Sequence, residues 1–241
     1  MTTPYNPLDM MNLAKSVGHA LLEQAVVPLG NIPKFTGAGI YAIYYSGNFP
    51  AYTLLSARNH NGAFDAPIYI GKAVPPGARK GGLPTSADQT TTALWNRLAS
   101  DHAKSIEQVS NLDIADFHVR WLVIEPIWIP LGESILIHWF APLWNRLVDG
   151  FGNHDPGKGR YNGLNTVWDT LHPGRPWAAR LRTRPESHTD IAARIESTLD
   201  QLFAPEMESP FKVSSALPSF SAPQVQEEHP IRTSDADHMS L

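Results

Sequence analysis

The chain has 241 residues, 42% of them hydrophobic, with a net charge of −4 and no cysteine. That length predicts one domain with an appendage, and the absence of cysteine excludes disulfides and thiolate metal sites, leaving carboxylate, imidazole or amide ligands and hence the hard divalent ions. No apolar run approaches the ~18 residues of a membrane span, and Lys15 and Glu23 interrupt any basic-then-apolar leader pattern, so a cytoplasmic protein without a membrane partner is expected.

Residues 8 to 27 ("LDMMNLAKSVGHALLEQAVV") repeat apolar side chains near the helical period and predict an amphipathic helix, with Pro7 suited to its first turn. "GIYAIYYS", from Gly39, reads as a strand, "YTLLSA" at 52 to 57 as a second and "PIYIGKA" at 67 to 73 as a third. Residues 74 to 91 are a loop rich in glycine and proline. From Thr92, "TALWNRLASDHAKSIEQV" sets Leu94, Trp95, Leu98, Ile106 and Val109 along one side of a helix. "DFHVRWLVI" is a further strand, ended by Pro126. "LGESILIHWF" at 131 to 140 is a helix apolar nearly all round, hence buried, and Pro142 ends or kinks it.

The glycine-rich "GFGNHDPGKGR" at 150 to 160 reads as a turn that becomes basic. From 158 to 184, Lys158, Arg160, Arg175, Arg180, Arg182 and Arg184 face only one acid, Asp169, a stripe that suits either a phosphate backbone or a solvated face. Residues 204 to 241 hold six acids against two bases, and twelve of these 38 residues are proline or serine. Such a segment cannot offset its own ordering entropy and is predicted to be disordered. The division expected is a helical extension (1–34), a core (35–160), a basic extension of that core (161–203) and an acidic tail (204–241). Strands interleaved with helices give a small α/β domain, and the first three strands lie too close together for the crossovers of a long parallel sheet.

Several polar residues stand out. Glu133 sits in the most apolar helix, where a carboxylate is costly to bury unless it pairs or binds a cation, or else caps the start of its own helix. Asn145 in "PLWNR" is a cap or turn residue or a polar contact. Arg97 can pair with Asp101 one turn later, and His102 falls on the apolar spacing of Trp95 and Leu98. Arg79 and Lys80 in the long loop, with Lys158 and Arg160, are candidates for contact with a phosphate backbone or plain solvated charges. His154 and Asp155 are adjacent and lack a third partner, which makes them a poor metal site.

The ordered set changes the balance. "GIY" and "YIG" about thirty residues apart, then Arg97 and His102, Glu133 and Asn145, resemble the GIY-YIG nuclease family. The longer context ("PIYIGKA", "GESILI", "PLWNRLVDGFGNHDPG") is similar to its type II restriction endonucleases, in particular those that cut CCGCGG. The resemblance covers roughly residues 35 to 160. It implies a small antiparallel sheet flanked by helices, with both tyrosines on one face turned toward a phosphate. It also implies an Mg²⁺-dependent enzyme that cuts double-stranded DNA as a homodimer or tetramer, with a cognate DNA methyltransferase in the same cell. Glu133 would hold one Mg²⁺, Arg97 would meet the scissile phosphate, and Tyr41 would be the general base, its pKa lowered by Lys72, Arg97 or His102. Tyr69 would position water or phosphate, and Asn145 would support Glu133 or the phosphate. Tyr45 shares the strand face of Tyr41 and is easily mistaken for the catalytic phenol, but the motif position favours Tyr41.

Two features of the resemblance are open on sequence. Related enzymes space the arginine and histidine about one helical turn apart. Here five residues separate them, about 140° around an ideal helix, so either the helix is locally irregular or one assignment fails. The same fold could also serve a homing or repair nuclease, which usually adds a separate DNA-binding module, or a catalytically silent DNA-binding protein. The presence of Glu133 and Arg97 argues against the silent form.

Overall fold

A computed structural model describes residues 4–75 and 90–204. Arg79 and Lys80 and nearly all of the acidic tail therefore lie outside the described residues. The framework is a four-stranded antiparallel sheet in the order β1 (Val27–Pro28), β4 (Phe117–Val123), β2 (Gly39–Tyr45), β3 (Pro67–Ala73). Strand β2 is central and buried along its whole length, which explains its unbroken apolar run. Its alternate residues feed two cores. Tyr41, Ile43 and Tyr45 join one, and Ile40, Ala42 and Tyr44 join the other.

The second core is closed by α1 (Met10–Leu22) and α5 (Ile129–Phe140), through Ala14, Leu21, Ile129, Ile135 and Leu136. The helix expected over 8 to 27 is shorter, capped by Asp9 at its start, and its last expected residue, Val27, pairs with Val119 in the sheet instead. The first core is larger. It takes in Leu94, Leu98 and Ile106 from the segment 93–107, and Leu143 and Trp144 from α6 (Leu143–Arg146). Trp168 and Leu171 of α7 (Val167–Leu171) and Ile191, Ile195 and Leu199 of α8 (His188–Leu202) complete it. Helix α8 begins with a reciprocal cap between Ser187 and Asp190.

One expected strand is absent. "YTLLSA" forms a single turn over Pro50–Tyr52 followed by the helix α2 (Thr53–Ala57). Tyr52, Leu55 and Ser56 are buried while Thr53 and Leu54 are exposed, which is the helical spacing rather than alternation. Ser56 donates to the Gly47 carbonyl and closes the turn. Among the described residues no helix is long and apolar enough to cross a membrane.

Candidate active site

The two glycines of the paired motif are required by close approach. Tyr41 pairs with Gly71 across β2 and β3, and a β-carbon on Gly71 would lie 2.4 Å from the Tyr41 hydroxyl and 2.6 Å from its Cζ. The Tyr41 ring therefore lies over the glycine of "YIG". Gly39 approaches β4 as closely, with the Leu122 carbonyl 1.9 Å from the place of a β-carbon. Tyr41 and Tyr69 face the same side, their ring centroids 6.2 Å apart.

The helix after the long loop is irregular where the spacing demanded it. It runs as α3 (Ala93–Trp95), a π-helical stretch Asn96–His102, and α4 (Ala103–Glu107). The Ala103 amide bonds back five residues to the Leu98 carbonyl. A π turn closes over five residues instead of four, so Arg97 and His102 come round to the same side. Both are close enough to the tyrosines to act on them electrostatically or directly. His102 Nε2 and the Tyr41 hydroxyl share a 2.6 Å hydrogen bond in a buried setting.

Burial sets the protonation of this pair. It raises the pKa of Tyr41 well above the ordinary phenol value, and the neighbouring Tyr69 adds to the rise while Arg97 opposes it. Tyr69 is raised as well, first by burial and then by Glu133. Burial lowers His102 to about 3, with Arg97 and His154 pushing the same way. At neutral pH the site thus holds an uncharged imidazole against an uncharged phenol. The expected lowering of the Tyr41 pKa by nearby cations is outweighed here by desolvation. Tyr45 is spent elsewhere: its hydroxyl accepts the Phe49 amide at 2.7 Å.

Glu133 lies in the second turn of α5, past the position from which it could cap the helix, and keeps about a fifth of its side chain exposed. Its carboxylate meets Lys72 Nζ at 2.5 Å. Arg97 Nη1 rests on Asp101 Oδ2 at 3.1 Å, and His154 Nε2 lies 3.9 Å from the same oxygen. Asn145 is turned to the sheet rather than to Glu133. Its amide accepts the Ile70 N–H and donates to the Ile70 carbonyl, both at 2.8 Å, sealing the free edge of β3 as another strand would.

The donor set bears on the expected metal. Among the described residues no three His, Asp or Glu side chains gather as a metal cage. Glu133, partly exposed and within electrostatic reach of both tyrosines, offers a hard oxygen ligand, which suits an ion that keeps most of its water and takes phosphate oxygens besides. Magnesium is such an ion, and Glu133 is the residue that would hold it.

Loop 150–153 supplies residues that sequence reasoning passed over. Phe151 stacks on His102 with centroids 4.5 Å apart and planes 13° apart. Gly152 has φ 72°, and a β-carbon there would lie 2.8 Å from His102 Cε1. The basic stripe of 158 to 184 is not one face. Lys158 and Arg160 are exposed, but Arg175 is 2% exposed and bonded inside the protein, and Arg184 faces Glu186 and the Asn165 carbonyl. Arg180 holds Tyr161, which in turn donates to Asp155.

An antiparallel sheet with GIY and YIG on adjacent strands, flanked by helices, is the fold of a GIY-YIG nuclease domain. Residues 33–199 match the family model described as the Eco29kI GIY-YIG domain, a restriction endonuclease family, and the chain belongs to that family. A comparison with curated proteins found no match. The family makes the protein a restriction-type nuclease with DNA as its substrate.

Proposed function

We propose that the protein is a type II restriction endonuclease that hydrolyses both strands of DNA at a palindromic site, CCGCGG, with one Mg²⁺ per active site. The observation that carries this reading is the 2.6 Å Tyr41–His102 contact on the GIY strand, within electrostatic reach of Arg97 and Glu133. A palindromic target and one site per chain call for a two-fold homodimer or a tetramer built from it. A cognate methyltransferase, working separately in the same cytoplasm, would protect the host genome.

Hydrolysis needs a proton taken from the attacking water, charge stabilised on the phosphate, and a leaving 3′-oxygen. A free Tyr41 phenolate is disfavoured by burial. The neutral His102 can accept the phenol proton through Nε2 while the phenol oxygen accepts a proton from water, and the negative phosphate bound beside it offsets the burial that otherwise lowers the imidazole. No buried phenolate need accumulate, and the positive charge ends on the imidazolium. Arg97 leaves Asp101 to present a planar cation to the scissile phosphate. Tyr69, on the same face, orients the water or a phosphate oxygen. Glu133 would hold the magnesium ion, which when bound supplies Lewis-acid stabilisation of the leaving oxygen. Lys72, freed from Glu133, can turn to a phosphate oxygen. Lys158 and Arg160 are free to meet the DNA backbone.

The test is cleavage of a plasmid carrying CCGCGG, with Mg²⁺ or with EDTA, followed by sequencing of the ends. Discrete Mg²⁺-dependent fragments with ends inside the hexamer are expected. Cutting at another sequence would refute the site, and equal cutting in EDTA would refute the metal requirement.

A further inference from the structure

We propose that Arg175, which touches no reacting group, is a positioning residue for His102, acting through the loop Gly150–Asn153. The proposal rests on the assignment of His102 to the reacting cluster.

Each of the three guanidinium nitrogens of Arg175 makes a hydrogen bond. Nε donates to Asp169 Oδ1 at 2.6 Å, Nη1 to the Asn153 carbonyl at 3.1 Å and Nη2 to the Gly150 carbonyl at 3.0 Å. The indoles of Trp168 and Trp177 flank the guanidinium at 4.4 and 4.6 Å. Asp169 alone would balance the charge. The two carbonyl bonds do something more, because they grip both ends of the loop that lies on His102. Between those ends Phe151 covers one face of the imidazole and Gly152 crowds its Cε1 edge.

The clamp matters because of what His102 lacks. A catalytic imidazole is commonly oriented by a hydrogen bond to its second nitrogen. Here Nδ1 is buried with no hydrogen-bond partner among the described residues. Beyond the single bond at Nε2, the plane of the ring is fixed by packing: Tyr41 and Tyr69 meet it at tilted and edge-on angles, and the ring stacked flat on it, Phe151, belongs to the loop Arg175 holds. Only a planar fork can reach the carboxylate and two divergent carbonyls together. A lysine ammonium at the same site cannot.

The experiment compares wild type, Arg175→Lys and the double variant Asp169→Asn/Arg175→Met. The double variant removes the carbonyl donors without leaving a buried charge unpaired, a change that buried ion pairs tolerate. Two readouts are taken on protein shown to be folded by circular dichroism. The first is the NMR titration of the His102 ring, assigned by the signal lost in His102→Gln. The groups facing that ring are Tyr41, Tyr69, Arg97 and His154. None is substituted in the variants, and since His154 follows Asn153, a shift reports the loosened loop, through water reaching the imidazole or His154 moving away from it.

Burial holds the wild-type ring far below its ordinary value, so wild-type His102 is expected to stay neutral from about pH 8 down to about 5, while in both variants it begins to protonate within that range. The second readout is steady-state cleavage, where kcat is expected to fall about a hundredfold with KM nearly unchanged, the cost of roughly 1 Å of misplacement. Folded variants whose His102 titration and kcat both match wild type would overturn the proposal. So would a kcat loss that only follows the unfolded fraction. If wild type itself cuts no DNA, the nuclease reading fails on its own, and the titration still decides whether Arg175 positions His102.

Discussion

Gly71→Ala puts one methyl group where the structure has no room for it. The new carbon would stand 2.4 Å from the Tyr41 hydroxyl, against about 3.4 Å for an ordinary contact. Backbone pairing on both sides of β2 holds the strand, so the Tyr41 side chain must give way by about 1 Å. That takes its 2.6 Å bond to His102 out to about 3.6 Å, beyond hydrogen-bond range. Overpacking of this size costs about 1–3 kcal/mol of stability, which a domain of this size survives. Catalysis should fall about a hundredfold, or about 2.7 kcal/mol in the barrier. The assay is single-turnover cleavage of a plasmid substrate beside thermal unfolding of the same preparation. A folded Gly71→Ala protein cutting within about twofold of wild type would refute the claim that Tyr41 must stand on His102 to act.

Tyr41→Phe should retain DNA binding by fluorescence anisotropy while losing about 10²–10⁴-fold in cleavage rate. Tyr45→Phe removes the acceptor of the Phe49 amide, so it should cost about 1–3 kcal/mol in urea unfolding and leave cleavage intact; the reverse pattern would exchange the two tyrosines. Asn145→Ala exposes the Ile70 N–H and C=O and should lower unfolding stability by about 2 kcal/mol; unchanged stability would contradict the edge-sealing role. The pH dependence follows from two buried histidines. His172, between Tyr52 at 2.7 Å and Asn111 at 3.0 Å, is lowered to about 3 by burial, as His102 is. The unfolded chain binds protons at both near pH 6.5, so stability is whole above that pH and falls as pH drops toward 3. The slope approaches about 1.4 kcal/mol per pH unit for each histidine. Urea unfolding of His172→Gln should show one such share removed, and an unchanged slope would count against the assignment.

What could be read from sequence was whatever local pattern controls. The alternation and β-branching of "GIYAIYY" and "PIYIGKA" specify strands whatever surrounds them, and the apolar run around Glu133 specifies a buried helix. "YTLLSA" misled because a short apolar run fits both periods; Pro50 ahead of it and the burial of Tyr52, Leu55 and Ser56 decide for helix. The five-residue gap between Arg97 and His102 announced an irregularity without saying which kind, since a π turn leaves no residue signature of its own. Asn145 was noticed, but its partner is backbone seventy-five residues away, and a backbone partner is invisible to side-chain pattern. Arg175 reads as part of a basic stripe because charge along the chain does not reveal which side chains turn inward. Its two tryptophan neighbours, Trp168 and Trp177, were the available hint.

The most direct test of the account is to measure binding and cutting separately in Glu133→Ala. In the proposed mechanism Glu133 would hold the metal, and among the described residues its carboxylate is paired with Lys72. Wild type and variant would be compared on the same CCGCGG duplex, binding by anisotropy and cleavage in Mg²⁺ on a gel. The account predicts that the variant binds within a few-fold of wild type and cuts at no detectable rate. A variant that cuts as wild type does would contradict it, because the phosphodiester chemistry would then not pass through this site.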